Sequence, residues 1–168
     1  MIISTICLIF SFLFQGFISN HLKYSLTDPS ILSCVYLLVT LIVILPYFEN
    51  EKKYIKLLVI FGLLMDIVYT NTFILNTLIF LVIYFVCKFI NYFLPHNIFT
   101  INLLNIVSMI VYHLLTFLIL LIIGYDKYSF LLLLKIISHS LIMTIVYGNI
   151  MYLIVSNLMN QFQIKEIK

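Results

Sequence analysis

This chain has very little charge. Only 9% of its 168 residues are Asp, Glu, Lys or Arg, against 64% apolar residues and a mean hydropathy of +1.22. So little polar surface cannot coat a globule in water, which excludes a soluble domain. Arginine is absent, and nine lysines carry all the fixed positive charge. No basic stripe with interleaved aromatics lies outside the apolar runs, so nothing supports a nucleic-acid surface. Cysteine is scarce: Cys7, Cys34 and Cys87 stand alone inside apolar runs, without CxxC spacing. They read as small packing residues, not as a disulfide framework or a metal centre. There is no Gly-rich phosphate loop, no GxSxG elbow, no HExxH and no pair of carboxylates on one helix face. Catalysis therefore has no sequence support, and no cofactor or metal is implied. The connecting segments are short, which leaves no room for a lid or an extramembrane domain.

What the chain does have is a succession of apolar runs. About 20 helical residues cross a bilayer core, and six candidates emerge, at about 2–19, 30–48, 54–69, 73–94, 98–124 and 129–157. The expected fold is an all-α membrane protein, a bundle of about six transmembrane helices forming one polytopic domain over 1–168. The run from Met1 to Ser19 lacks a basic leader and a small-residue cleavage site, so it is expected to be a retained first helix. Asp28-Pro29 starts the second span and Pro46 interrupts it late. Pro95 closes the fourth. Only Thr70-Asn71-Thr72 separates the third and fourth, which predicts a tight hairpin or two tilted, partly re-entrant pieces. With the first residue inside, Lys52, Lys53, Lys56, Lys88, Lys165 and Lys168 face the cytoplasm, and Lys23, Lys127 and Lys135 face outward. Lysine bias thus places both termini in the cytoplasm. Tyr24, Tyr47, Tyr54, Tyr69, Tyr92, Tyr125 and Tyr128 fall near expected helix ends, where amphipathic rings settle at the interface.

The residues that cost free energy in lipid are the informative ones. Asp66 lies roughly 18 Å past Tyr54 along its helix. A central carboxylate costs about 2.5–3.5 kcal/mol on insertion scales, so it needs a partner or water. Gly62 sits one turn earlier on the same face, where it lets another helix approach. Helical spacing puts Asn102, Asn105, Met109, His113 and Thr116 on one stripe. A second stripe holds Lys135, Ser138, His139, Ile142, Ile145, Asn149, Tyr152 and Ser156. A third holds Ser4, Ser11, Gln15 and Ser19. Such stripes bind helices together through hydrogen bonds. The sharper reading is a polar cavity lined by Asp66, His113, Lys135 and His139, with Lys135 neutralising Asp66.

The segment Phe61-Gly62-Leu63-Leu64-Met65-Asp66-Ile67-Val68-Tyr69, followed by Asn76-Thr77-Leu78-Ile79-Phe80-Leu81-Val82-Ile83-Tyr84, resembles the MreD family of rod-shape-determining membrane proteins. That family shows a glycine, two apolar residues, an apolar-Asp-apolar triplet, a short outer turn and an Asn- or Arg-led apolar helix ending in tyrosine. Gln15, near the end of the first helix, and Pro29, opening the second, fit the same pattern. The chain departs from it after the aspartate: a Leu-Gly pair is usual there, and Ile74 stands at about the glycine position. A weaker resemblance extends to the six-helix substrate-binding subunits of energy-coupling-factor vitamin transporters.

The resemblance implies a non-enzymatic subunit of the bacterial cell-elongation complex in the cytoplasmic membrane. It would bind MreC, a bitopic scaffold, and through it help couple the MreB filament to peptidoglycan synthesis by RodA and its transpeptidase. Gly62, Asp66, Asn76 and Gln15 are then partner-binding or structural polar positions, and a bulky residue at Gly62 is expected to weaken the partner complex without unfolding the bundle. The alternative is a substrate-binding membrane subunit of a small-molecule transporter, with its pocket around Asp66, His113 and His139.

Overall fold

The computed structural model describes residues 2–21, 37–70, 72–95, 97–124 and 129–162. The described residues are helical, with no strand among them. The elements are α1 (Ile2–His21), α2 (Leu37–Ile44, continued by a 3₁₀ turn, Leu45–Tyr47), α3 (Glu51–Met65, continued by a π turn, Asp66–Thr70), α4 (Leu75–Phe93), α5 (Ile98–Ile122) and α6 (Phe130–Gln161).

Helix α2 is the hub. It is apolar all round but for Thr40, and every one of its residues is buried. A helix with no polar face must be surrounded, and α1, α4, α5 and α6 all pack on it. Pro46 lies in the 3₁₀ turn, where the helix tightens before ending at Phe48. The Asp28-Pro29 start expected for this span lies outside the described residues.

The next two helices form the hairpin. Asn50 caps α3 by accepting the Lys52 N–H, so the helix begins earlier than the Tyr54 expected from hydropathy alone. Glu51 pairs with Lys88, Tyr54 rests on Tyr84, and Gly62 meets Thr77. As the chain climbs α3 its partners descend α4, so the two helices are antiparallel neighbours. Tyr54 is buried, its hydroxyl donating to the Ile42 carbonyl at 2.8 Å, and Tyr47 is buried as well. Both rings are thus turned into the bundle. Tyr92 is exposed, and Tyr24, Tyr125 and Tyr128 lie outside the described residues.

Among the described residues, α4 (19 residues) and α5 (25 residues) are long and apolar enough to cross a membrane. Helix α6 adds a third such span if its two halves, bent by 40° between Ile142 and Thr144, count as one. The described parts of α1 and α2 are shorter apolar helices.

Ile74, immediately before α4, has φ 64°. A left-handed conformation costs an L-residue about 1–2 kcal/mol, and glycine nothing. In the resemblance described above, Ile74 stands at about the position of a glycine. The chain holds an isoleucine in a glycine's conformation because the surrounding turn is fixed from both sides, as the next section describes. Ile74→Gly should therefore leave the melting temperature in detergent unchanged or raised. Ile79→Gly, at a buried helical site, should cost at least about 3 kcal/mol through a cavity and lost helix propensity. Similar losses at both positions would show that Ile74 is not strained.

Candidate functional site

The site grows from an elementary problem. The first amides of a helix have no partner within it, and in lipid no water supplies one. Helix α4 begins beside α3 with Ile74 at the position where a capping side chain normally sits, and Ile74 offers no polar atom. Asp66 does the capping from the preceding element. Its Oδ1 accepts the Asn76 backbone N–H at 2.9 Å, and its Oδ2 accepts the Thr77 backbone N–H at 3.3 Å. These are the second and third residues of α4, the amides that a local cap would serve.

Three side chains complete the shell. The Thr72 hydroxyl donates to Oδ1 at 2.6 Å, the Asn76 amide donates to Oδ1 at 2.9 Å, and the Thr77 hydroxyl donates to Oδ2 at 3.3 Å. All five partners are donors, the complement that an ionised carboxylate requires, and the positive end of the α4 dipole adds to them. Asp66 is 1% exposed. Asn76 extends the network: its amide also donates to Thr70 Oγ1 at 2.9 Å, and its Oδ1 accepts the Tyr112 hydroxyl of α5 at 2.9 Å. One carboxylate thus joins α3 and α4, and through Asn76 it reaches α5.

The π turn positions the aspartate. Widening the last turn of α3 carries the chain around the end of the hairpin, and the Thr72 N–H returns to the Asp66 carbonyl at 3.1 Å. Gly62, one turn below, sets the helix spacing. A Cβ there would lie 2.6 Å from the Thr77 Cα and 2.8 Å from its Oγ1. Gly62 therefore packs against this chain's own α4. The expectation that a bulky residue there would leave the bundle folded is corrected: the contact is with backbone, which cannot step aside.

Gln15 of α1 reaches across to α2, where its Oε1 accepts the Leu37 N–H at 3.0 Å. Tyr69 ties α1 to the hairpin. Its hydroxyl donates to the Phe12 carbonyl at 2.8 Å, over Gly16, where a Cβ would lie 2.1 Å from the tyrosine oxygen.

His113 is fully buried on α5, with its ring perpendicular to that of Tyr112 at 5.9 Å. Lys135 and His139 do not join it. Both are exposed, and His139 Nδ1 meets the Lys135 carbonyl of its own helix at 2.7 Å. The cavity expected from Asp66, His113, Lys135 and His139 is thus not formed, and Lys135 does not neutralise Asp66. The reason lies in how α6 is turned. Its buried edge runs through Leu133, Ile136, Ser140, Thr144, Met151, Val155 and Met159. Ser140 and Thr144 can face inward because their hydroxyls close onto carbonyls one turn back, at 2.9 and 2.8 Å. The expected stripe lies outward at Lys135, Ser138, His139 and Ile142, and reaches the packed seam only near Asn149. There Asn102 donates to Asn149 Oδ1 at 3.0 Å, beside the buried Gly148.

The other stripes fare differently. On α5, Asn105, Met109 and His113 are buried; on α1, Ser4 and Ser11 are buried and Gln15 half-buried, while the side chain of Ser19 lies outside the described set. Cys7 and Cys87 are buried free thiols, Cys87 in contact with Ser108 Oγ at 3.1 Å; Cys34 lies outside the described residues.

Thr72, Thr77, Tyr112 and Ile74 belong to the site and went unnoticed in the sequence. A signal existed for Tyr112, which lies seven residues beyond Asn105 on the same helix face. Threonines two and three residues into apparent turn or helix carry no such mark. No protein family, curated protein or solved structure matches the chain. Among the described residues, no group of three His, Cys, Asp or Glu side chains is arranged to hold a metal ion. Chemically, Asp66 has its acceptor sites occupied by donors of its own fold. That arrangement fixes helices and leaves no lone pair directed at a substrate.

Proposed function

We propose that this chain is a non-enzymatic, MreD-like subunit of the bacterial cell-elongation complex. In this reading it crosses the cytoplasmic membrane six times with both ends inside. It binds the transmembrane helix of an MreC-like bitopic protein, and through that partner it acts on MreB, RodA and the RodA-associated transpeptidase.

The observation that carries the reading is the hairpin. Of the residues behind the resemblance, Asp66 and Asn76 are hydrogen-bonded to each other, and Gly62 packs one turn below against Thr77 of the same hairpin. The departure from the pattern, Ile74, has the backbone conformation that a glycine there would favour. A motif that locks two helices gives a bundle of defined shape, as a helix-binding scaffold needs. Association in lipid has little hydrophobic drive and depends on close packing and a few polar contacts, so a rigid surface is the main asset such a subunit can bring. The transporter alternative gains nothing from the exposed Lys135 and His139.

Co-purification in mild detergent tests the reading. The tagged chain should retain the MreC-like protein of its own organism and restore rod shape to cells depleted of the endogenous subunit. Recovery of a bound vitamin or an ATPase module, with no MreC-like protein, would overturn the scaffold in favour of the transporter.

A further inference from the structure

At the opposite end of the hairpin from Asp66, the start of α3 and the end of α4 enclose a half-open cavity of about 430 Å³. That volume lies within the range of small-ligand sites. Its wall is mostly apolar, with Tyr54, Tyr84 and Leu104 among the lining residues. The polar side is different in kind: Glu51, Lys52 and Lys88 all line it. Lys88 and Glu51 form an ion pair, yet their side chains remain 52% and 49% exposed. The Lys88 hydrogen bond holds the Glu51 carboxyl below the usual carboxylate range, so it carries its charge at neutral pH. Glu49 also lines the cavity but is turned to the bundle, where its Oε1 accepts the Ser4 hydroxyl at 2.6 Å.

Two features select a ligand. The first is charge of both signs at one site. Lys52 and Lys88 suit an anion with several acceptor oxygens, and Glu51 suits a cation with hydrogens to donate. A simple anion would leave Glu51 repelling it, and a simple cation would meet two lysines. The second is depth. Lys88 lies in the last turns of α4, a helix long and apolar enough to cross a membrane. Lysines so placed reach to headgroup level, where lipids are the most abundant molecules.

We propose that this cavity seats the headgroup of a zwitterionic aminophospholipid. The phosphate lies on Lys52 and Lys88. The primary ammonium lies on Glu51 and displaces part of its bond with Lys88. The apolar wall receives the uncharged glycerol ester. The inference rests on the membrane setting of α4 and is independent of any protein partner.

The test uses the full chain in detergent. It is titrated separately with phosphatidylethanolamine, phosphatidylcholine, phosphatidylglycerol and free O-phosphoethanolamine, and bound lipid is read by native mass spectrometry. Phosphatidylethanolamine should bind at least tenfold tighter than each of the others. Glu51→Gln and Lys52→Gln should each remove most of that preference; the Lys52 side chain is exposed, so its replacement leaves folding intact. Equal binding of phosphatidylglycerol would overturn the two-charge site, and equal binding of phosphatidylcholine would remove the ammonium bond to Glu51. Equal binding of O-phosphoethanolamine would make the ligand a soluble metabolite. Unchanged preference in both variants would place the selective site away from this cavity and overturn the proposal. Because the isolated chain is measured, none of these outcomes depends on whether an MreC-like protein co-purifies.

Discussion

Asp66→Leu should severely destabilise the folded protein, while Asp66→Asn should retain a mildly destabilised, functional one. Leucine removes the acceptor for five donors at once: the Thr72 and Thr77 hydroxyls, the Asn76 amide and two backbone N–H groups. Each buried donor left without a partner costs about 1–3 kcal/mol. Some of the five will find substitutes, and a net loss of about 3–5 kcal/mol is expected, as when one partner of a buried charged contact is deleted. That is a large share of a stability of about 5–15 kcal/mol. Asparagine keeps an oxygen for the three donors at Oδ1. Its amide then faces both Thr77 donors; the hydroxyl can turn to accept from it, but the backbone N–H cannot, so one bond is lost and about 1–2 kcal/mol with it. Size-exclusion profiles after graded heating in detergent, together with membrane levels in cells, would measure both. If the two variants accumulate and melt like the wild type yet fail equally in cells, the charge serves a ligand or a proton, and capping is not the role of Asp66.

Gly62→Leu should separate α3 from α4, and Gly62→Ala should lower the melting temperature measurably. Alanine is the better helix former by about 1 kcal/mol, so any net loss reports the steric contact. That contact is severe because the new Cβ meets the Thr77 Cα at 2.6 Å. Overpacking of this kind typically costs about 1–3 kcal/mol for a small insertion. Leucine adds three further carbons at a site with no space for them, and the carboxylate shell one turn above is then pulled from its donors. A short bifunctional thiol reagent should join cysteines placed at Glu51 and Lys88, which pair across the two helices, readily in the wild-type background and poorly in Gly62→Leu. Efficient crosslinking and a normal melt in Gly62→Leu would mean that the close approach is not required.

The sequence made the importance of the hairpin legible because Asp66 and Gly62 are anomalies. A carboxylate in an apolar run has to be accounted for, and so does a glycine one turn before it. Gln15 stood out in the same way. The apolar runs located the helices, with errors at the ends where capping overrides hydropathy: α3 begins at the Asn50 cap, and α4 begins after Ile74. The composition of the capping shell was not legible. Threonine is unremarkable in a membrane helix, and which residue meets Asp66 depends on the π turn, a backbone event with no pattern in the residue types. The orientation of α6 was misread for a related reason. Counting polarity pointed Lys135 and His139 inward, but Ser140 and Thr144 satisfy themselves on their own backbone and behave as interior residues. What distinguishes a polar residue that must face protein from one that can face lipid edge or interface is where its hydrogens go, and spacing does not encode that.

The capping of α4 by Asp66 also bears on how the chain enters the bilayer. Released alone, α4 would carry bare amides at its leading end, and α3 alone would carry an uncompensated anion. Each helix thus cancels the other's defect. For α4, long and apolar enough to cross a membrane, the expected unit of insertion is therefore the α3–α4 pair, a granularity of two helices set by one side chain.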